Sequence, residues 1–277
     1  MSCCTAFYER PEVRELMGES FHPGGPELTA RTVADLRLDP GARVLDVACG
    51  TGLSTLALAR EHGATAVGLD LGQDNLDTAR ASAHASGLDV SFVLGDAAKL
   101  PFEDASFDAV LCECALSTFD DKGVALAEIA RVTRRGGRLG LSDMAVYGTL
   151  PVGVAELAGP WACLDAGTVE QTQRAVLDAG FRIAACHDES AQLHALALDL
   201  KRKLVVVGLG RVSGLLGTDA NLGELRAIID QARAAVGSGV VQYFRLAATL
   251  GGPMPEAEQK VENPSTKADC DPSTGCC

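Results

Sequence analysis

Between positions 43 and 116 four short apolar runs recur, and each ends on residues suited to a loop that meets a ligand. They read RVLDVACGTG, ATAVGLDL, DVSFVLGD and FDAVLCECAL. Stretches with helical spacing follow the first two: LSTLALAREHG stops at Gly63 and QDNLDTARASAHASG at Gly87. A third, KGVALAEIARVTRRGG, reads as a helix leading into another run, GRLGLSD. Short strands alternating with helices of about 10–15 residues predict a doubly wound parallel α/β sheet, because parallel neighbours need a crossover connection.

Around this repeating core the pattern changes. Residues 1–40 are helical in pieces and form an N-terminal arm, with a turn-rich break at GESFHPGG (18–25). Residues 41–150 hold the sheet. Beyond Pro151 the regularity weakens, and 151–250 reads as a smaller α+β region. It has helices at 169–181, 190–209 and 222–236, a strand at RIAACHDES and a closing strand at GVVQYFRLAAT. Residues 251–277 are polar, rich in proline and glycine, and expected to be disordered.

The chain has 277 residues, 47% of them hydrophobic, so it can bury a sizeable core. Its net charge of −13 disfavours nucleic acid and an anionic membrane surface, which leaves a small molecule as the expected partner. No secretory leader is recognisable, and the expectation is a cytoplasmic protein whose ten cysteines stay reduced. Paired C-x2-C spacing is absent, so a structural zinc site is not expected. The thiols fall at the start (Cys3, Cys4), inside (Cys49, Cys112, Cys114, Cys163, Cys186) and at the end (Cys270, Cys276, Cys277).

Asp46-Val47-Ala48-Cys49-Gly50-Thr51-Gly52 closes the first strand and opens a helix. Glycines there let a ligand approach the backbone at the carboxyl end of the strand. A pyrophosphate site would want a third glycine where Thr55 stands, which weakens the dinucleotide reading. Asp70, at the end of the second strand, suits a ribose, and Asp96, at the end of the third, suits an adenine amino group.

In order, VLDVACGTG, GLDL, GDAAKLPF, FDAVLCECAL and RVTRRGGRLGLSD resemble the class I S-adenosylmethionine-dependent methyltransferases, over roughly residues 40–145. That resemblance implies a Rossmann-like, doubly wound seven-stranded sheet whose last hairpin brings in an antiparallel strand. It also implies S-adenosylmethionine as cofactor, held at Asp46, Ala48, Gly50, Thr51, Gly52, Asp70, Leu71, Asp96 and Ala97. Cys112 either lines that site or is a buried small hydrophobe.

A second resemblance covers most of residues 100–250. CALSTFDDK is similar to the segment of arsenite methyltransferases in which a cysteine stands eight residues before a lysine, here Cys114 and Lys122. LSDMAVYGTLP and WACLDAG resemble the stretch carrying that family's second arsenic-binding cysteine, which falls on Cys163. The resemblance implies trivalent arsenic held at Cys114 and Cys163, with thioredoxin or glutathione as thiol reductant. Soft thiolates select a soft metalloid, so the chemistry agrees. Two departures stand out: the family's proline is Asp120 here, and no cysteine lies between Cys4 and Cys49. A third thiolate would come from Cys3 or Cys4, and the tail cysteines would either capture arsenic or be dispensable.

Two alternatives remain open from the sequence. One is a methyltransferase for another small acceptor, of the menaquinone or ubiquinone type or a thiol or selenol. The other is a metalloid-binding protein that has kept the fold without turnover. His22 either borders the site or shapes a turn, Trp161 either walls the acceptor pocket or packs in the core, and Glu113 points away from the Cys112 face if the strand is regular.

Overall fold

The computed structural model describes residues 18, 20, 22–158, 166–207 and 222–251. Cys3, Cys4, Trp161, Cys163, Cys270, Cys276 and Cys277 lie outside them.

The apolar runs form strands β1 (Arg43–Val47), β2 (Thr65–Asp70), β3 (Ser91–Leu94) and β4 (Phe107–Glu113). They are joined by β5 (Thr133–Val146), β6 (Phe181–Asp188) and β7 (Val241–Leu250) in one seven-stranded sheet of order β3-β2-β1-β4-β5-β7-β6. β1 to β5 run parallel, and β7 pairs antiparallel with both β5 and β6. The Rossmann-like seven-stranded sheet expected from the sequence is therefore present. Its last two strands come from residues beyond Pro151 and extend the same sheet.

The helices among the described residues are α1 (Gly25–Leu36), α2 (Leu53–His62), α3 (Gln73–Ser86), α4 (Lys122–Val132), α5 (Val152–Ala158), α6 (Val169–Asp178), α7 (Ser190–Val207) and α8 (Leu222–Gly237). Both faces of the sheet are covered, which is why the central strands read as nearly continuous apolar runs. On one face Val44, Ala109 and Leu111 pack with Val33 and Leu36 of α1 and Leu58 of α2. On the other, Leu45, Val47, Val110 and Cys112 pack with Leu126 and Ile129 of α4. Alternation along each strand sends neighbours to opposite layers.

α2 and α3 end where the glycines predicted, since Gly63 and Gly87 adopt left-handed φ values of 62° and 63° at the caps. The end of α4 differs from the sequence reading. Thr133 turns extended and its hydroxyl bonds the Ile129 carbonyl at 2.6 Å, so the helix stops and TRRGG joins β5. The pairing of β4 with β5 then shifts register, and Gly136 takes φ 80°. A bulge at the edge of the pairing thus replaces the expected last helical turn.

One ionic cluster ties α1 to the far strands. Arg245 on β7 donates through Nε to Glu189 at 2.7 Å and through Nη1 to Asp35 of α1. Arg31 of α1 donates to the other oxygen of Glu189 at 2.9 Å. Arg245 is 11% exposed in its side chain and Glu189 10%, so this pairing is shielded from solvent in a way that surface pairs are not.

Candidate active site

The strand order reverses between β1 and β4, and in such sheets ligands bind outside the carboxyl ends of the strands at that point. A cavity of about 260 Å³ opens there. It is lined by the loop after β1 (Ala48 to Thr51), by Asp70 and Leu71 after β2, by Asp96 and Ala97 after β3, and by Glu113 and Cys114 after β4.

The loop after β1 is shaped by its backbone. Ala48, Gly50 and Gly52 all have positive φ, 59°, 53° and 81°. Gly52 caps α2, and a Cβ there would lie 2.7 Å from Phe92 Cζ and 2.8 Å from Ala79 Cβ. Gly68 on β2 is equally constrained, since a Cβ would meet Cys49 Sγ at 2.7 Å. Gly52 therefore serves packing as well as the turn, and it does not itself line the cavity.

Asp70, expected from the sequence to meet a ribose, is engaged by the backbone. Its Oδ2 accepts from the Gly50 backbone N–H at 2.8 Å and its Oδ1 from that of Gly72 at 2.7 Å. The carboxylate latches the glycine loop onto the end of β2. Burial pushes its pKa up, and these backbone donors oppose the shift. Asp96, exposed, accepts from its own turn at Ala98 N–H, 2.8 Å away.

Asp46 is 2% exposed, and the Thr55 hydroxyl donates to it at 2.6 Å. Burial drives its pKa up to about 8, the Glu113 and Asp70 charges add to this, and the Thr55 hydrogen bond opposes it. A folded carboxyl held that far above its unfolded value of 3.8 keeps a proton that the unfolded chain releases. Its contribution to stability is complete below pH 4 and declines as pH rises toward 8. Asp143, pushed up to about 6, contributes a similar slope only at lower pH. Asp46→Asn is therefore expected to flatten the fall in stability between pH 6 and 8 by about 1 kcal/mol per pH unit, read from urea midpoints at several pH values.

Beyond β4 the chain departs from strand geometry. Cys114 has φ 53°, uncommon and costly for a residue with a β-carbon, and its N–H is held by the Ser142 carbonyl at 2.7 Å. That twist brings Cys114 to the cavity wall beside Glu113. Cys112 stays in the core at 0% exposure and is absent from the lining. Regular alternation would put Cys112 and Cys114 on one face of β4; left-handed backbone at Cys114 interrupts it, and Cys112 packs in the core outside the cavity lining. Burial pushes the Cys114 thiol well up, the Asp143 carboxylate adds to this, and a hydrogen bond from Tyr243 opposes it. The thiol is held protonated until something displaces the proton.

The sequence reading set Glu113 aside, yet it forms a network on the α1 and α2 side of the cavity. Thr29 of α1 donates to its Oε2 at 2.9 Å and Ser54 of α2 at 2.7 Å, with His22 Nε2 at 3.7 Å. His22 itself lines the cavity, as do Phe119, Asp120 and Asp121 from the turn before α4. Cys49 also lines it, while Cys186 lies on β6 away from it. No lysine or arginine occurs among the described residues of the lining. Among the described residues, no group of three or more His, Cys, Asp or Glu side chains is placed to hold a metal ion.

A glycine loop under a switch-point cavity with carboxylates at or just past the ends of β1, β2 and β3, and no lysine or arginine among its described lining residues, suits a nucleoside ligand that carries positive charge. S-adenosylmethionine fits that donor set. Residues 45–141 match the family model described as "Methyltransferase domain". The chain is 30% identical to "O-methyltransferase resE" of Aspergillus sclerotiorum over 202 residues, 71% of this chain and 75% of that one. It is 42% identical to "Demethylmenaquinone methyltransferase" of Corynebacterium glutamicum over 125 residues, 43% of this chain. The chain spans 51% of that enzyme, about half, as it does of other curated relatives it matches. Among solved structures, that of the "[4+2]-Cyclase SpnF" superposes with a TM-score of 0.76 at 24% identity, covering 91% of this chain and 98% of that one. This last likeness is one of fold. Solved structures with the same fold hold S-adenosylmethionine or S-adenosylhomocysteine.

The chain belongs to the class I S-adenosylmethionine-dependent methyltransferases. Its cofactor is S-adenosylmethionine, which supplies an electrophilic methyl group when bound.

Proposed function

We propose that this methyltransferase acts on trivalent arsenic held by cysteine thiolates, with Cys114 as the thiolate beside the cofactor. One observation carries the reading: Cys114 is twisted out of strand geometry into the wall of the cavity that Gly50, Asp70 and Asp96 also line. A soft metalloid displaces the thiol proton on binding, as metals do, so a high intrinsic pKa is no obstacle at neutral pH. The nucleophile is then the arsenic lone pair, which needs alignment with the methyl group and no general base. As the As–C bond forms, the methyl–sulfur pair leaves with S-adenosylhomocysteine, and arsenic becomes formally pentavalent. A thiol reductant such as thioredoxin or glutathione returns it to the trivalent state in this scheme. Cys163, with Cys3 or Cys4, completes the thiolate set in the proposal. A cytoplasmic location goes with it, and no helix among the described residues is long and apolar enough to cross a membrane.

The test is mass-spectrometric analysis of arsenic products from purified protein with arsenite, cofactor and a thiol reductant. The parent is expected to produce methylated arsenic, with Cys114→Ser and Cys163→Ser each reducing it at least ~100-fold while cofactor affinity stays within about twofold. Absence of methylated arsenic from the parent would overturn the reading.

A second reading is favoured by the His22, Thr29 and Glu113 network, which puts an imidazole and a carboxylate on the cavity wall as acid–base groups. That arrangement suits an oxygen or carbon acceptor, in line with the O-methyltransferase and demethylmenaquinone methyltransferase relatives. Turnover of a phenol or quinol that survives Cys114→Ser would support it.

A further inference from the structure

A second cavity, of about 290 Å³, lies between α1 and α2. Its walls are one stripe of each helix: Pro26, Ala30 and Val33 on α1, and Leu53 and Ala57 on α2. Spacings of three and four residues keep such positions on one helical face. The gap follows from the side chains at its middle. Alanine stands on both walls, at 30 and 57, and is too short to close the space between two helices whose axes ordinarily pack about 8–10 Å apart. Close-packed proteins rarely leave an alkyl-lined space of this size unfilled. Ala30 is exposed, so the groove opens to solvent and a ligand can enter it without unfolding either helix.

The two ends of the groove differ. At the inner end Ser20 and Leu53 line both this groove and the cofactor cavity, so the two spaces adjoin. At the outer end stand Arg60 and His62, in the last turn of α2. The cofactor cavity has no lysine or arginine among its described lining residues, so of the two spaces this one suits an anionic group. Arg60 Nη2 donates to Glu61 at 2.9 Å, but the two side chains are 60% and 49% exposed. A pair so exposed is weak, and a ligand carboxylate can share a guanidinium that has five N–H donors. From Leu53 to Arg60 the groove runs about 10 Å along α2, the reach of an acyl chain of about eight carbons. We propose that this groove is a second ligand site, for a carboxylic acid whose apolar body lies between Ala30 and Ala57 and whose carboxylate meets Arg60. The proposal is independent of which atom the enzyme methylates.

Calorimetric titration with octanoate, and with 1-octanol as its uncharged counterpart, tests both parts of the site. The parent is expected to bind one octanoate per chain, and saturating S-adenosylhomocysteine to leave that binding in place. Ala57→Phe fills the groove from α2 and Ala30→Phe from α1. Each is expected to weaken octanoate at least ~10-fold by taking up the ligand's volume, with S-adenosylhomocysteine affinity within about twofold of the parent. Arg60→Gln is expected to weaken octanoate by about 2–5-fold, the range of an exposed ion pair, and to leave octanol unchanged. Absence of octanoate binding to the parent overturns the proposal, as does binding that survives both phenylalanine variants. Displacement by S-adenosylhomocysteine would place the acid in the cofactor cavity and overturn it equally. An equal response of octanoate and octanol to Arg60→Gln would leave a cleft without selection for acids, and the ligand class falls. Should one phenylalanine variant fail to fold, the other, on the opposite helix, decides.

Discussion

Asp70→Ala is expected to weaken S-adenosylhomocysteine binding by roughly two orders of magnitude in calorimetric titration. The carboxylate accepts from two backbone N–H groups, of Gly50 and Gly72, at 2.8 and 2.7 Å. Hydrogen bonds to a charged group are worth about 1.5–3 kcal/mol each, and losing both frees the glycine loop that lines the cavity. Asp70→Asn tests the mechanism further. An amide has one oxygen and one NH2, so it can satisfy only one of the two N–H groups and leaves the other facing a donor. It is therefore expected to fall much nearer to alanine than to the parent, although its size is almost unchanged. An asparagine variant with parental affinity would show that the latch is unimportant.

Gly52→Val is expected to act on the same loop through sterics. Position 52 has φ 81°, a conformation costing about 1–2 kcal/mol for a residue with a β-carbon. The added carbon would also stand under 3 Å from Phe92 and Ala79, both packed in a small core between α2, α3 and β3. Overpacking of this kind adds about 1–3 kcal/mol. Together they predict a fall in Tm of roughly 5–15 °C, with cofactor affinity lost at temperatures where the variant is still folded. Gly52→Ala should lie between the two, and an alanine variant as stable as the parent would contradict the packing account.

Much of this architecture was legible in the chain. The runs ending at Val47, Asp70 and Leu94 read correctly because central parallel strands are buried on both faces and end abruptly in glycine or aspartate. The ends of α2 and α3 read correctly because Gly63 and Gly87 relieve the left-handed cap. What escaped depended on geometry that no local pattern encodes. Arg134 and Arg135 looked like a helix end, yet the Thr133 hydroxyl and the left-handed Gly136 direct that stretch into β5. Nothing marks Cys114 as left-handed, since the residue types that usually adopt it are glycine and asparagine. Glu113 was passed over because its partners Thr29 and Ser54 stand 84 and 59 residues away in sequence, and hydroxyls are too common to signal such a convergence. Alternation placed Glu113 correctly opposite Cys112; it was the significance of that face which required the fold.

The ionic cluster at Arg245 bears on the order in which this protein becomes competent during synthesis. Thr29, which steadies Glu113, sits on a helix whose neighbours Arg31 and Asp35 are fastened to Glu189 and Arg245. The parallel strands β1 to β5 can pair once about half the chain has emerged, but the helix wall of the cavity finds its anchor only when β7 has been made. Contacts spanning 210 residues form late, so the α1 wall of the cavity is the last part of the pocket to set. A ribosome-bound chain would thus complete the parallel strands under the pocket before the wall that closes it.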